Sequence, residues 1–258
     1  MTLSRGTHKI LLLAIVMVPA IYLFSAGAWA DSHAVQELIT WMPFILKGFG
    51  INLIISVLAM ILGTVLGIIL GLLELSPSAL IRKPAFFVMN VFRNTPWLVI
   101  LFIAMFIFPF EFTWNGKIID IPNWIPATFS FALAVMPDVA EVLRGAINSI
   151  PKAQWESATS LGLTRSQTLR DIILPQCIRR MIPPWMNWYA ILVMATPLAS
   201  ILGVQESLSH TSIAMEAAGS DPSFLIPFYV FLLGLFFLYI YPISLLTRRL
   251  ERKYGYIS

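Results

Sequence analysis

The chain has 258 residues, 58% of them hydrophobic and only 12% charged, with a formal net charge of +4. A mean hydropathy of +0.82 excludes an ordinary soluble domain and a disordered chain alike, since neither carries so much apolar surface in water. The single cysteine, Cys177, excludes an internal disulfide framework.

Six apolar runs lie near residues 10–29, 48–73, 91–110, 124–147, 185–204 and 224–247. About 20 apolar residues cross the hydrocarbon layer as a helix, and these runs are too long for the strands of a membrane barrel. Lipid offers no partner to open backbone N–H and C=O groups, so each run is predicted to be helical and the fold class to be all-α membrane protein. The first run has a basic start at Arg5 and Lys9, an apolar centre and the small-residue end Ala28-Trp29-Ala30, which fits a cleaved signal peptide. Its length and its Tyr22 and Trp29 fit a retained anchor equally. Residues 1–30 are thus an N-terminal helix or a signal peptide, and 31–258 the main domain.

In the second run Gly63, Gly67 and Gly71 recur every four residues and stack on one helix face, a surface for close packing. No Gly-Lys-Ser/Thr phosphate loop occurs, so energy from a nucleotide must enter through another protein. The third run opens with Arg93, Asn94 and Thr95 before Pro96, and Asn94 or Thr95 is predicted to cap it. Arg93 either lines a pathway or marks a positive helix start at the membrane boundary.

Between the fourth and fifth runs lies a polar loop, 149–184. Ser149 is predicted as an N-cap, Pro151 in the first turn of a helix through Leu161, and Gly162 as its left-handed stop. A second helix restarts with Thr164 and Gln167 as a capping box and ends at Pro175. Ala158, Leu161, Leu163, Leu169 and Ile172 are the apolar residues it offers to the bundle or to a partner's groove. The outline resembles a DNA-binding helix-turn-helix, but both ends are tied to membrane spans, so nucleic acid is not expected; an amphipathic loop lying on lipid headgroups is the plain alternative. Arg5, Lys9, Arg82, Lys83, Arg93, Arg144, Lys152, Arg165, Arg170, Arg179, Arg180 and the basic C-terminal run share one side, while only Lys47 and Lys117 fall on the other, where Asp31, Glu37, Glu111, Asp120, Glu206, Glu216 and Asp221 collect. Positive charge stays inside, which predicts a cytoplasmic loop and C-terminus.

The stretch from Glu141 to Val193 resembles the permease subunit of bacterial polar amino-acid ABC importers, the histidine and glutamine permease group, with its EAA loop in register at Glu156, Ser157, Ala158, Gly162, Ile172, Leu174 and Pro175. FRNTPWLV and TPLASILGVQES are similar to two further motifs of that group. The resemblance implies a five-helix type I importer core with one added N-terminal helix, in the bacterial inner membrane. It also implies a second permease subunit, two cytoplasmic ATP-binding subunits holding ATP and Mg, and an extracytoplasmic solute-binding protein, with no cofactor or metal on this chain and no catalysis by it. Coupling to the ATPase would fall on Glu156, Ser157, Ala158, Leu161, Gly162, Leu163 and Arg165, with the Glu156 carboxylate pairing a basic group or capping a helix here or on the partner. Glu206 would meet the binding protein.

Two departures stand out. VMATPLAS, with Met194, Ala195 and Pro197, replaces the family's LKDTSLAS, and Asp138 stands where the family has an aromatic. A heterodimer whose other permease keeps the typical pocket accounts for both; Asp138 would otherwise be solvated by a cavity or paired with Arg144. Asn52, Ser56, Asn94, Asn187, Thr196 and Ser200, with Arg93, Thr95 and Asp138, are candidates to line a path for a zwitterion, the alternative for the polar ones being interhelical hydrogen bonds. Two other classes are an ion-coupled secondary transporter, which needs paired halves with interrupted helices, and a membrane-embedded enzyme, which needs a titratable cluster; His8, His33 and His210 are scattered and mostly near water.

Overall fold

The structure, a computed structural model, describes residues 32–109, 111–114 and 116–254. The first apolar run and His8 before it lie outside the described residues. Among the described residues four helices are long and apolar enough to cross a membrane, and a fifth span results if one bent pair counts as a unit.

α1 (Ser32–Glu74) is a 43-residue helix that starts well before residue 48, where apolar character begins. The polar start and Pro43 read as loop, yet Ala34, Leu38 and Ile45 pack against Met215, Phe224 and Phe228, and that burial holds the extra turns. α2 (Ala79–Arg93) is an amphipathic helix that the hydropathy runs did not single out, burying only Ala85 and Met89. It meets α3 (Trp97–Ile107) at a 105° bend. The break has a local cause: Pro96 lacks an N–H and pushes Thr95 out of helical geometry. Asn94 Nδ2 turns back to Asn90 O at 2.7 Å and Thr95 Oγ1 to Val91 O at 2.7 Å, so both side chains finish α2 and neither caps α3 as expected.

A short antiparallel hairpin follows, β1 (Glu111–Trp114) and β2 (Lys117–Asp120), turning at Gly116 with φ +77°. Its signal is the Asn-Gly dipeptide, which favours such two-residue turns. α4 (Trp124–Asn148) is the central helix, burying Phe131, Val135, Val139, Ala140 and Leu143. It lies along α1 through the predicted glycine face: a Cβ on Gly67 would stand 2.6 Å from Met136 O, and one on Gly71 3.2 Å from Ala140 O. In lipid, where apolar burial between helices gains little, such close approach is what gives a pair its packing energy.

α5 (Lys152–Ser160) and α6 (Arg165–Gln167) project from the end of the bundle that holds the C-terminus of α1. α6 does not stop at Pro175. It passes through a six-residue π turn, Thr168–Ile173, in which Leu174 N–H reaches Leu169 O, and continues as α7 (Leu174–Ala195) and a 3₁₀ stretch, Thr196–Leu202. The wide turn admits a proline that the regular i→i−4 ladder would reject. α8 (Ser207–Ala217), a 3₁₀ turn at Pro222–Phe224, and α9 (Leu225–Tyr254) complete the chain.

Candidate functional site

At the end of the bundle carrying α5, Ile150 closes the turn after α4, where Ser149 is the C-cap of α4 and Pro151 precedes α5. Ser149 is therefore not an N-cap; its carbonyl and hydroxyl accept hydrogen bonds from Arg180 at 2.8 and 2.7 Å. Trp155 packs on Ile147, Ile150 and Ile173, and Ala158 is 1% exposed, so one face of α5 is seated on the bundle. Gly162 has φ +73°, which an L side chain resists. Leu163 N–H donates to Ala158 O at 3.1 Å and Gly162 N–H to Thr159 O at 2.9 Å, the paired bonds of a Schellman stop. Thr164 and Gln167 then form the reciprocal capping box that starts α6, and Arg165 Nη2 donates to Leu75 O at 3.4 Å.

This elbow leaves Glu156, Ser157 and Leu161 facing outward, Leu161 at 78% exposure. Leu163 is half-buried, so the anticipated apolar set splits: Ala158 turns inward and Leu161 does not. The Glu156 side chain caps no helix and makes no ion pair among the described residues, which removes both intrachain roles considered for it.

The anticipated path residues also separate into two groups. Asn52, Ser56 and Thr196 are fully buried and serve as internal bonds. Asn52 Nδ2 donates to Thr196 Oγ1 at 2.9 Å and to Glu206 Oε2 at 2.8 Å, and its Oδ1 accepts from Ser207 N–H at 2.9 Å. Glu206 is 0% exposed; its carboxylate takes the N–H groups of Leu208 and Ser209, each at 3.0 Å, as the N-cap of α8. A carboxylate at a helix N-terminus is favoured by the helix dipole as well as by those bonds. Glu206 thus ties α1, the end of α7 and α8 together, and its side chain is not placed to touch a binding protein. Ser200 Oγ is likewise spent on Pro197 O. Asn187 is exposed on α7. His210, expected near water, is buried, stacked on Phe44 at 4.0 Å with Nδ1 2.8 Å from Phe44 O.

Arg93 and Asp138 come together. Both line a cavity of about 350 Å³ bounded by Glu141, Arg180, Pro184 and Trp188. Asp138 is half-buried and does not pair with Arg144. Arg144 instead grips Glu141, with Nε 2.9 Å from Oε2 and Nη2 on Oε1, while Arg93 stands 3.6 Å from the same carboxylate. A neighbouring cavity of about 690 Å³ shares Arg93 and Glu141 and adds Glu74, Arg82 and Lys83. Glu74, Glu141, Arg180 and Trp188 were not among the anticipated path residues; the Glu141–Arg144 pair has an i,i+3 signal, whereas Arg180 and Trp188 join only through the crossing of α4 and α7. Among the described residues no group of three or more His, Cys, Asp or Glu is placed to hold a metal ion.

The all-α bundle with its protruding elbow has the fold of type I ABC importer transmembrane domains. Against solved structures the chain is similar to an amino acid ABC transporter crystallised with histidines, with TM-score 0.71 at 23% identity over 84% of this chain and 97% of that one. It is also similar to the inward-facing MetNI methionine ABC transporter, with TM-score 0.65 at 19% identity over 83% and 97%. Residues 63–255 match the family described as binding-protein-dependent transport system inner membrane component, and the chain belongs to that family. Among curated relatives, the probable amino-acid ABC transporter permease protein YckA of Bacillus subtilis is 38% identical over 72% of this chain and 79% of its own length. The probable glutamine ABC transporter permease protein GlnP of the same organism is 30% identical over 87% and 96%. The chain is a non-enzymatic membrane transport subunit.

Proposed function

We propose that this chain is the permease subunit of an ATP-driven importer of polar amino acids, and that Glu156, Ser157, Ala158, Leu161, Gly162, Leu163 and Arg165 couple it to a separate ATPase. The observation that carries the reading is the elbow. α5 is fixed to the bundle through Trp155 and Ala158 while Leu161 and Glu156 face outward, and the Schellman stop and capping box make the connection stiff. A lever that passes force needs both properties, a seated root and an apolar tip left open for a partner's groove. The Lys and Arg distribution supports a cytoplasmic position for the elbow and the C-terminus, in a bacterial inner membrane. The names of the relatives support the substrate class.

The assembly has a second permease, with a heterodimer favoured, two cytoplasmic ATP-binding subunits carrying ATP and Mg, and an extracytoplasmic solute-binding protein. The test is Leu161→Glu in the reconstituted complex. The permease still inserts and melts normally, because the side chain is exposed, while uptake falls at least about tenfold, a charged group having replaced a docked apolar one. Unchanged uptake overturns the coupling role.

A further inference from the structure

At the root of the elbow, where α1 ends and α5 begins, lies a cavity of about 240 Å³ whose lining includes Lys152, Arg165, Asn148, Trp155, Leu75 and Leu169. It shares no residue with the two cavities that hold Arg93. Its charge is of one sign: two cations line it and no acidic residue does. Lys152 makes no hydrogen bond or ion pair among the described residues. Arg165 makes one long bond, Nη2 to Leu75 O at 3.4 Å, which leaves the rest of its fork open. The start of α5 adds to the positive field, because its N-cap, Pro151, gives the first-turn N–H groups no side-chain acceptor. The exposed Asn148 contributes an amide donor. A lone surface lysine needs only water. Here donors from α4, α5 and α6 line one concavity whose remaining wall is indole and aliphatic.

We infer that this cavity holds the phosphate of an anionic phospholipid, whose acyl chains run along α1. Ile54, Leu58, Ile61, Val65, Ile69 and Leu73 are exposed and form an apolar stripe down that helix, ending two residues before Leu75 in the cavity wall. A soluble anion would use the cations alone; a lipid uses the cations and the stripe together. Trp155 belongs at the same level, since indole rings settle where the hydrocarbon gives way to headgroups. Basic pockets between membrane helices bind anionic headgroups at that depth. Arginine's planar fork takes two phosphate oxygens through parallel bonds, and lysine adds a point charge beside it. The lack of an acidic residue in the lining sets the lipid class, because nothing there receives the quaternary ammonium of a choline headgroup. A phosphate in this place bridges α5 and α6 and holds the root of the elbow at the membrane boundary. The inference goes beyond the coupling reading and is independent of the solute carried.

The test is native mass spectrometry of the intact complex, ATPase subunits included, in detergent titrated with phosphatidylglycerol or with phosphatidylcholine. Wild type retains phosphatidylglycerol in preference. Lys152→Gln and Arg165→Gln each weaken phosphatidylglycerol binding by about fivefold, the gain that one cation makes at an anionic lipid surface, and leave phosphatidylcholine binding unchanged. Both side chains are exposed, so the variants fold. Arg170→Gln removes an exposed cation outside the cavity and has no effect on either lipid. No preference in wild type, no loss in the two cavity variants, or an equal loss in Arg170→Gln overturns the site. Displacement of the bound phosphatidylglycerol by equimolar inorganic phosphate also overturns it, assigning the cavity to a free anion. Loss of ATPase from Lys152→Gln with phosphatidylglycerol binding intact overturns it as well, assigning the cavity to an acidic segment of that partner.

Discussion

Replacing Gly67 by alanine tests the α1–α4 contact on which the bundle is built. An added Cβ would stand 2.6 Å from Met136 O and 2.7 Å from Val139 Cβ, and both obstacles belong to the rigid part of α4. The helices must part by several tenths of an ångström, which strips contact from their neighbours along the interface. Overpacking of this kind costs about 1–3 kcal/mol, offset by about 1 kcal/mol because alanine is the better helix former. The net is about 0–2 kcal/mol of destabilisation, or up to about 8 °C in melting temperature for a domain of this size. The same change at Gly71 meets Ala140 O at 3.2 Å and Leu143 Cδ2 at 3.1 Å, which neighbours relieve by small shifts, so its effect is near zero. At Gly50, on the same helix, a Cβ meets nothing within 4 Å, and alanine there is neutral or stabilising. Melting of the detergent-solubilised protein, followed by fluorescence-detected gel filtration, gives the order Gly67→Ala below Gly71→Ala below Gly50→Ala. If Gly67→Ala melts at or above Gly50→Ala, the close approach does not hold these helices.

Asn52→Leu removes three buried hydrogen bonds joining α1, the 3₁₀ stretch after α7 and the start of α8, and strands the buried Ser207 N–H; the loss is about 2–4 kcal/mol, read as a lower melting temperature, while Asn187→Ala on the exposed face of α7 has little effect. Gly162→Val forces a β-branched residue to φ +73°, costs about 1–2 kcal/mol locally, and lowers coupled uptake more than it lowers thermal stability; equal losses in both would reduce Gly162 to a folding role. Ser157→Cys, exposed on α5, is labelled by a membrane-impermeant maleimide in inside-out vesicles and spared in intact cells, with buried Cys177 silent in both; labelling from the outside reverses the topology.

Local chemistry made several features readable before any contact was known. Gly162 announces a left-handed stop because few other residues tolerate that backbone, and Thr164 with Gln167 announces a capping box because both partners sit within one turn. The glycine spacing in α1 indicated a close-packed face for the same reason, since every fourth residue lies on one side of a helix. Asn94 and Thr95 misled because a short polar side chain before a proline serves a following helix or a preceding one equally well, and here the carbonyls of Asn90 and Val91 were the nearer acceptors. Glu206 misled because a carboxylate beyond an apolar run reads as solvent-exposed, until α1 supplies Asn52 to bury it.

From the sequence alone came the solvent, the number of apolar runs and the polar elbow, all of which rest on composition and on residues a few positions apart, while the expectation of a partner that burns nucleotide came from the resemblance to importer permeases. Tertiary structure alone decided that α1 already runs as helix from Ser32 onward, well before the apolar run at 48, that α6 runs through a π turn past Pro175, and that α2 breaks away from α3 at 105°. It also decided which polar side chains are spent and which are left. Asn52 meets Glu206 across 154 positions of chain, and Arg93 and Asp138 share a cavity only because α4 passes the end of α2. Periodicity reports which face of a helix is apolar; it carries no information on which distant polar group that helix will meet, and in lipid that meeting decides whether a polar side chain becomes a structural bond or stays available to a ligand.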